Sequence, residues 1–213
     1  MRLELGCHVH CVDDAFGELA DVVIDPGTRC VTHLVVQPHE RHDLARLVPI
    51  TRARLGGGSG SGISLDLTVN ELTEVEPLHD SAYVQLGEPP PPSDWDVGIQ
   101  EISQMPLSGS LGVNALGAGM EPIEFDGHGT VSYDRIPKGT VEIRRRSEVT
   151  SSDGHHVGHV VGFVIDERER IAEIVVEHGH LWAKREIAIP IGSIDRIESD
   201  EVVLSVSNDE VGG

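Results

Sequence analysis

An internal repeat constrains the fold of this chain more than any other feature of its sequence. Two segments, residues 1–75 (copy 1) and roughly 140–211 (copy 2), carry the same letters in the same order, at spacings that agree within a residue or two. In copy 1 the shared residues are Val9, Asp13, Gly17, Val23-Ile24-Asp25, Val35-Val36, Pro49-Ile50, Leu65 and Glu71. In copy 2 they are Val149, Asp153, Gly158, Val164-Ile165-Asp166, Val175-Val176, Pro190-Ile191, Leu204 and Glu210. The repeat predicts one structural unit used twice.

Each copy alternates short apolar runs with turn residues. In copy 1 the run 19–24 is followed by Asp25-Pro26-Gly27-Thr28 and then by a second run, 31–36. Asp, Pro and Gly favour tight turns, so the pattern predicts a β-hairpin, and copy 2 repeats it over 163–176. Val and Ile are frequent, whereas only 3% of the residues are aromatic, which favours short strands over long helices.

Both copies end on a helix-capping pattern. Thr68-Val69-Asn70-Glu71 and Ser207-Asn208-Asp209-Glu210 each place a hydroxyl residue three positions before a Glu. This spacing is typical of a capping box. The predicted fold is therefore all-β, with two small antiparallel β-barrels in tandem and a short helical turn at the end of each.

The composition changes between the copies. Residues 76–137 contain the proline run Pro89–Pro92 and the glycine-rich stretch Ser108–Gly119, which are typical of a linker. Apolar residues between these features predict that part of the linker packs on the barrels. The predicted organisation is domain 1 over 1–75, a Pro/Gly-rich linker over 76–137, and domain 2 over 138–213.

The repeated segments resemble the PRC-barrel family. The stretches that carry the likeness are Phe16–Pro26, Val31–Val36 and Arg46–Ile50 in copy 1, and Asp153–Asp166 and Glu186–Gly192 in copy 2. This family is a small β-barrel used as a docking module, as in the photosynthetic reaction-centre H subunit, a bacterial ribosome maturation factor and archaeal cell-division adaptors. The resemblance implies a non-catalytic barrel that binds partners, here present as a pair.

The charge of the chain restricts its partners. Sixteen Lys and Arg against 36 Asp and Glu give a formal charge of -20. Such a surface repels polyphosphate, so direct DNA binding is not expected, and a basic protein partner fits better. A homo-oligomer is a further expectation. No long apolar run predicts a membrane span, and the odd set Cys7, Cys11 and Cys30 favours the reducing cytoplasm over a disulfide framework.

Histidines and cysteines form two candidate metal groups. Cys7-His8-Val9-His10-Cys11 has suitable ligands, but on a strand its cysteines point one way and its histidines the other, so the segment predicts no tetrahedral site. In copy 2 the metal candidates are His155, His159, His178 and His180. Clustered imidazoles titrate near neutral pH, which suits a metal-responsive or pH-responsive sensor; exposed histidines without such a role are the alternative.

Two further groups are candidate contacts. Arg144-Arg145-Arg146 is a concentrated basic stretch that either contacts a nucleic acid or acidic partner, or pairs with the many carboxylates of the chain. Trp and Arg favour protein interfaces. The predicted partner-binding residues are His33, His39, His178, His180, Trp182 and Arg185.

The sequence contains no motif of a known enzyme class. It lacks a phosphate-binding Gly-Lys-Ser/Thr loop, a Gly-x-Ser-x-Gly elbow and a His-Glu-x-x-His helix. We therefore expect no catalytic residues and no cofactor. Three hypotheses remain: a cytoplasmic adaptor that binds proteins through its barrel surfaces, an accessory factor in ribosome or RNA maturation that docks on a basic ribosomal protein, and the histidine-based sensor.

Overall fold

A computed structural model describes residues 1–39, 44–55, 62–85, 95–103, 128–179, 184–198 and 200–211. The strands of copy 1 are β1 (Arg2–Glu4), β2 (His8–His10), β3 (Ala15–Asp25), β4 (Cys30–Pro38), β5 (Arg46–Pro49), β6 (Ala53–Leu55) and β7 (Ile63–Leu65). A 3-10 turn, Ile50–Arg52, joins β5 to β6, and the helix α1 (Val69–Glu74) follows β7. Three strands come next, β8 (His79–Gln85), β9 (Trp95–Ser103) and β10 (His128–Pro137).

Copy 2 repeats this series of elements. Its strands are β11 (Val141–Ile143), β12 (Glu148–Thr150), β13 (His156–Ile165), β14 (Ile171–His178), β15 (Arg185–Pro190), β16 (Ile194–Ile197) and β17 (Glu201–Leu204). A 3-10 turn, Ile191–Ser193, joins β15 to β16, and α2 (Asn208–Val211) follows β17. The all-β prediction with a terminal helical turn in each copy is confirmed.

The two copies have the same sheet topology. The strand order is β5-β4-β3-β2-β7-β6 in copy 1 and β15-β14-β13-β12-β17-β16 in copy 2. Neighbouring strands are antiparallel except for one parallel pair in each copy, β2 with β7 and β12 with β17. Each sheet curls into a barrel-like unit, as the repeat predicted.

The copies exchange their first strands. β1 of copy 1 pairs with β13 of copy 2, where Leu3 lies opposite Phe163. β11 of copy 2 pairs with β3 of copy 1, where Ile143 lies opposite Val22. These two pairs occupy equivalent positions in the repeat, so the exchange is reciprocal and the barrels are related by a pseudo-twofold axis.

A short antiparallel contact marks that axis. Cys30 pairs with Arg170, the residue at its own position in the other copy. The Val31 N–H donates to the Glu169 carbonyl and the Ile171 N–H donates to the Arg29 carbonyl, both at 2.9 Å. Equivalent residues of the two copies therefore make the same hydrogen bond in both directions, as a twofold relation requires.

One hydrophobic core serves both barrels. Leu3 and Ile143 are 2% and 0% exposed, each buried in the sheet of the other copy, and one cluster of buried residues runs through both units. Burying an aliphatic side chain of this size stabilises a fold by roughly 1.5–3 kcal/mol. The exchanged strands therefore join the two copies into one folded unit.

The repeated glycines have a steric cause. Gly17 and Gly158 lie at irregular positions of β3 and β13, where the facing strand comes very close. A Cβ atom at position 17 would lie 2.0 Å from the Gln37 carbonyl oxygen, and one at position 158 would lie 2.1 Å from that of Glu177. Only glycine fits such an approach without moving the backbone.

The terminal helices are capped as the sequence predicted. Glu71 accepts from the Thr68 N–H at 2.8 Å, and the Thr68 hydroxyl accepts from the Glu71 N–H at 3.2 Å. In copy 2, Glu210 accepts from the Ser207 N–H at 2.9 Å. Asp13 adds an acceptor for the Val69 N–H in copy 1.

Residues 76–137 contain more structure than a linker. β8, β10 and β9 form a three-stranded antiparallel sheet in that order, which the sequence analysis did not anticipate. The proline run and the glycine-rich stretch, which prompted the linker prediction, lie outside the described residues. Leu78, just before β8, and Ile136, within β10, are buried on the outer face of copy 1, packed with Leu47 and Val35.

Candidate functional site

Each copy has a groove between its proline-containing strand and its terminal helix. The copy 1 groove, beside β5 and α1, encloses about 460 Å³. Its lining is His33, Leu47, Pro49, Arg52, Leu67, Val75 and Glu76. The copy 2 groove, beside β15 and α2, encloses about 170 Å³ and is lined by Ile187, Ala188, Ile189, Pro190, Ser193, Val206, Glu210 and Val211. The repeat thus places two mainly apolar grooves at equivalent positions.

His33 distinguishes the copy 1 groove. It is half-buried on β4, and its ring contacts the Thr32 hydroxyl at 3.1 Å through Nδ1. Burial lowers the pKa of the His33 imidazole, because the charged form loses hydration. The position equivalent to His33 in copy 2 is Glu173, so only the first groove has a neutral ring at this point.

The outer edges of the two proline-containing strands differ. In copy 1 the chain after α1 returns along β5: the Leu47 N–H donates to the Glu76 carbonyl at 3.4 Å, and the Leu78 N–H donates to the Ala45 carbonyl at 3.0 Å. Pro77 completes this contact opposite Arg46. A short extended segment therefore lies on the edge of copy 1.

The equivalent edge of copy 2 is open in the described part of the chain. β15 is the terminal strand of its sheet, and no described strand pairs with its outer side. Ala188 has the register to β14 that Leu47 has to β4. Because backbone groups alternate along a strand, the Ala188 N–H and the Glu186 carbonyl point outward, as their counterparts in copy 1 do.

The three consecutive arginines lie in and beside a turn between β11 and β12, and they have different environments. Arg144 binds the buried carboxylate of Glu142 and the exposed one of Asp200, both at 3.1 Å. The Arg145 guanidinium lies over Gly6 and 3.6 Å from Glu18. Intramolecular pairing, one of the two predicted alternatives, thus accounts for Arg144 and much of Arg145.

Arg146 lines a cleft of about 350 Å³ on copy 2. The other lining residues are Arg145, His159, Val161, Glu177 and Lys184. Lys184 contacts Glu177 at 2.6 Å, and His159 approaches the Arg146 carbonyl at 3.3 Å through Nδ1. The sequence indicated the arginines as a candidate contact. It could not show that Lys184 lies on the same cleft, because the cleft forms only when β13 and β14 fold together.

The metal candidates of copy 2 are spread over different partners. His155 lies 3.2 Å from the Asp153 carboxylate, and the Nδ1 atom of His178 contacts the Val157 carbonyl. The His159 ring lies beside the His156 ring, with ring centroids 4.9 Å apart and a tilt of 58° between the ring planes. His180 lies outside the described residues. Among the residues that the structure describes, no three His, Cys, Asp or Glu side chains come together as a metal site.

The segment from Cys7 to Cys11 has the alternation expected of a strand. Cys7 and Cys11 pack against the core, while His8 and His10 are exposed. Burial raises the pKa of the Cys7 thiol to about 11 and also raises that of Cys11. Both thiols therefore remain protonated at neutral pH and are poor metal ligands and nucleophiles.

The predicted partner-binding residues that the structure describes lie on different parts of the surface. His33 lines the copy 1 groove, and His39 is exposed beside His8, with ring centroids 5.7 Å apart. His178 ends β14, and Arg185 begins the open edge strand β15. Trp182, like His180, lies outside the described residues. Of the predicted set, Arg185 and His178 are the ones that border the open edge.

The open edge itself escaped the sequence analysis. The signal for it was present, because Leu47 of copy 1 is replaced by the smaller Ala188 in copy 2, and Ala45 is replaced by the charged Glu186. Those two differences remove the apolar contacts that hold Leu78 on copy 1. Both differences are visible in the sequence when the two copies are aligned.

The described helices are all too short to cross a membrane. A comparison with curated proteins found no match to this chain. Residues 145–211, in copy 2, match the family model of the PRC-barrel domain. Copy 1 lies outside the matched region and has the same strand order.

Proposed function

We propose that this chain is a non-catalytic cytoplasmic assembly module that binds a protein partner along the outer edge of β15. The observation that carries the proposal is the difference between the two edges. The edge of β5 is covered by residues 76–78 of the same chain, whereas the equivalent edge of β15 has no described strand beside it. The segment that covers the β5 edge therefore indicates the kind of extended peptide that the β15 edge would bind.

Strand addition is the mode of binding that this edge favours. An extended peptide that adds to a sheet gains main-chain hydrogen bonds, and adjacent pockets select its side chains. The outward Ala188 N–H and Glu186 carbonyl match the two groups that hold Glu76 and Leu78 in copy 1. The apolar copy 2 groove lies next to this edge and supplies the side-chain pocket.

The charge of the chain favours a basic partner. The formal charge is -20, and Glu186 on the edge is exposed and pairs with Arg2 at 2.5 Å. Complementary charge raises the rate of association and helps to exclude wrong partners. A partner segment with Lys or Arg beside an apolar residue suits both the edge and the groove.

The carboxylates with perturbed pKa support a structural role for the acidic residues. The Thr28 hydroxyl and nearby N–H groups lower the pKa of Asp25, and backbone N–H groups of Arg170 and Arg168 lower that of Asp166. Hydrogen bonds from Thr68 and Ser207 lower the pKa of Glu71 and Glu210. These groups hold turns and helix ends, which supports a non-catalytic protein.

The test uses one position on the edge. Ala188→Pro removes the outward N–H, and proline is tolerated at a strand edge because that N–H makes no ladder bond within the sheet. Ala188→Val is the matched control, since it keeps the N–H and has a similar volume. Each tagged protein is used to recover partners from its native cells, with and without nuclease, and the partners are identified by mass spectrometry.

We expect proteins that are recovered with the wild type and Ala188→Val, resist nuclease, and are lost with Ala188→Pro. Recovery of the same proteins by Ala188→Pro would contradict the proposal. Ribosomal proteins that disappear on nuclease treatment would favour the ribosome or RNA-maturation hypothesis instead. Sedimentation of the purified protein tests whether a second copy of the chain occupies the edge.

A further inference from the structure

Arg146 is an exposed cation whose side chain has no ion-pair partner among the described residues. Within the described part of the chain its side chain makes no ion pair or hydrogen bond, unlike Arg144 and Arg145 beside it. It lines the cleft of about 350 Å³ together with Lys184 and His159. A chain with only 16 Lys and Arg places three of them around this one cleft.

Arg146 occupies a turn position whose backbone conformation favours glycine. Arg146 is the third residue of a turn closed by the Ser147 N–H on the Arg144 carbonyl, and its φ is 78°. The equivalent turn of copy 1 has Gly6 at this position, with φ of 85°. Glycine adopts this conformation without cost, whereas a residue with a Cβ does not.

The side chains that line this cleft differ from those at the equivalent surface of copy 1. Arg146, His159, Val161 and Glu177 correspond in copy 1 to Gly6, Glu18, Ala20 and Gln37. Copy 1 itself contributes one carboxylate and no cation there, and the Arg145 guanidinium of copy 2 lies against that carboxylate, Glu18, at 3.6 Å. A cationic residue kept in a strained conformation, on a surface that the other copy builds without it, indicates a binding role.

We propose that this cleft binds the phosphate group of a small phosphorylated molecule. Arginine presents a planar fork of donors that matches phosphate oxygens, and lysine adds a mobile point charge. With its Nδ1 atom at the Arg146 carbonyl, His159 has its Nε2 atom available as a further donor or acceptor. The volume lies within the range of small-molecule sites.

Nearby carboxylates limit the affinity but leave the site cationic. Of the side chains that line the cleft, Arg145, Arg146 and Lys184 are cations and Glu177 is the carboxylate. Glu18 and Asp21 contact Arg145 from copy 1, at 3.6 Å through its side chain and 2.6 Å through its N–H. We therefore expect a dissociation constant on the order of 0.1 mM, with a dependence on salt.

The test measures pyrophosphate binding to the full chain by isothermal titration calorimetry. Arg146→Gly removes the cation and restores the residue that copy 1 has at this turn. We expect at least a tenfold loss of affinity, together with a melting temperature raised by about 1–4 °C because the strain is relieved. A loss of binding in a more stable protein cannot be attributed to unfolding.

Arg29→Gly is the matched control. Arg29 also has a positive φ, 60°, and its guanidinium donates to the Ile191 carbonyl away from the cleft. This variant loses the same charge and relieves a similar strain, so we expect its pyrophosphate affinity to equal that of the wild type. Lys184→Gln, which leaves the turn unchanged, should also weaken binding at least threefold.

Several results would overturn the proposal. They are the absence of saturable pyrophosphate binding up to 10 times the expected dissociation constant (roughly 1 mM), equal losses in Arg146→Gly and Arg29→Gly, and citrate binding as tight as pyrophosphate. A short single-stranded RNA that binds more tightly than pyrophosphate, with a steep salt dependence, would replace the small phosphorylated molecule by a nucleic acid.

Discussion

Copy 1 and copy 2 have one backbone plan but different surfaces. The glutamates that accept from the residue before each terminal helix and the close approaches at Gly17 and Gly158 occur in both. The outer face of copy 1 is covered by Leu78 and Ile136, and its β5 edge by residues 76–78. The outer edge of β15 in copy 2 lacks such a described cover. The residues that build the barrel are thus repeated in both copies, whereas the residues at the proposed binding edge are not.

A reversed ion pair shows the same division at smaller scale. In the exchanged strand of copy 1, Arg2 contacts Glu4 at 3.0 Å. In that of copy 2 the order of charges is inverted, with Glu142 contacting Arg144 at 3.1 Å. The fold requires a paired residue at each position but not a particular sign. Each sign then determines the neighbours, Glu186 for Arg2 and Asp200 for Arg144.

The largest predicted effect concerns the exchanged strands. Leu3→Ala and Ile143→Ala should each lower the free energy of unfolding by about 3 kcal/mol, since both side chains are buried in the other copy. Hydrogen exchange should accelerate mainly in β13 for Leu3→Ala and mainly in β3 for Ile143→Ala. Urea unfolding and hydrogen-exchange mass spectrometry measure the two effects.

Val12→Ala is the control for these variants, because Val12 is 71% exposed and should change neither quantity. Faster exchange confined to the copy that carries the substitution would show that the strands are not exchanged. The comparison of the copies as halves of one unit would then fail.

A smaller effect separates the two terminal helices. Thr68→Ala removes a cap from α1, whose Leu72 is fully buried, and should cost about 1 kcal/mol of unfolding free energy. Ser207→Ala removes only a hydroxyl that donates to Glu210 at 2.9 Å, and α2 has no buried residue, so it should cost less, about 0.5 kcal/mol. Equal losses in urea unfolding would mean that α2 is as firmly docked as α1.

The smallest predicted effect is a pH dependence specific to copy 1. Because burial lowers the pKa of His33 in the folded protein, the unfolded chain takes up its proton first as the pH falls. Stability from this group is complete above its ordinary pKa of 6.5 and is lost as the pH falls from there towards the folded pKa. His33→Gln should therefore flatten the decline of melting temperature between pH 7.5 and 5, and an unchanged decline would contradict the assignment.

The fold was largely predictable because its signals are local. Asp25 and Asp166 form the predicted turns by accepting backbone N–H groups, and the Glu71 and Glu210 caps follow from a spacing of three residues. The strand alternation around Val9 placed Cys7 and Cys11 inward. Each of these depends on residues close together in the chain.

The candidate sites were less predictable because they depend on distant residues. The open β15 edge is recognised by comparison with the segment beside β5, and the cleft forms only when folding brings Lys184 and Arg146 to one surface. The exchange of β1 and β11 likewise has no signature in spacing, since either strand would satisfy its own copy equally well. The proline and glycine runs predicted a linker, whereas β8, β9 and β10 beside them have no comparably clear sequence pattern.

The contact of Cys30 with Arg170 at the pseudo-twofold axis is central to the packing of the two copies. The variant Arg170→Cys tests this contact directly. Cys30 and Arg170 form an antiparallel pair of the type without direct hydrogen bonds, in which Cα atoms lie about 4.5 Å apart, within disulfide range. Under mild oxidation the introduced thiol should form an intramolecular disulfide with Cys30, detected by peptide mass spectrometry. Arg168→Cys, two residues away in the exposed turn, should not form it. Free thiols in both variants would contradict the reciprocal packing of the two copies.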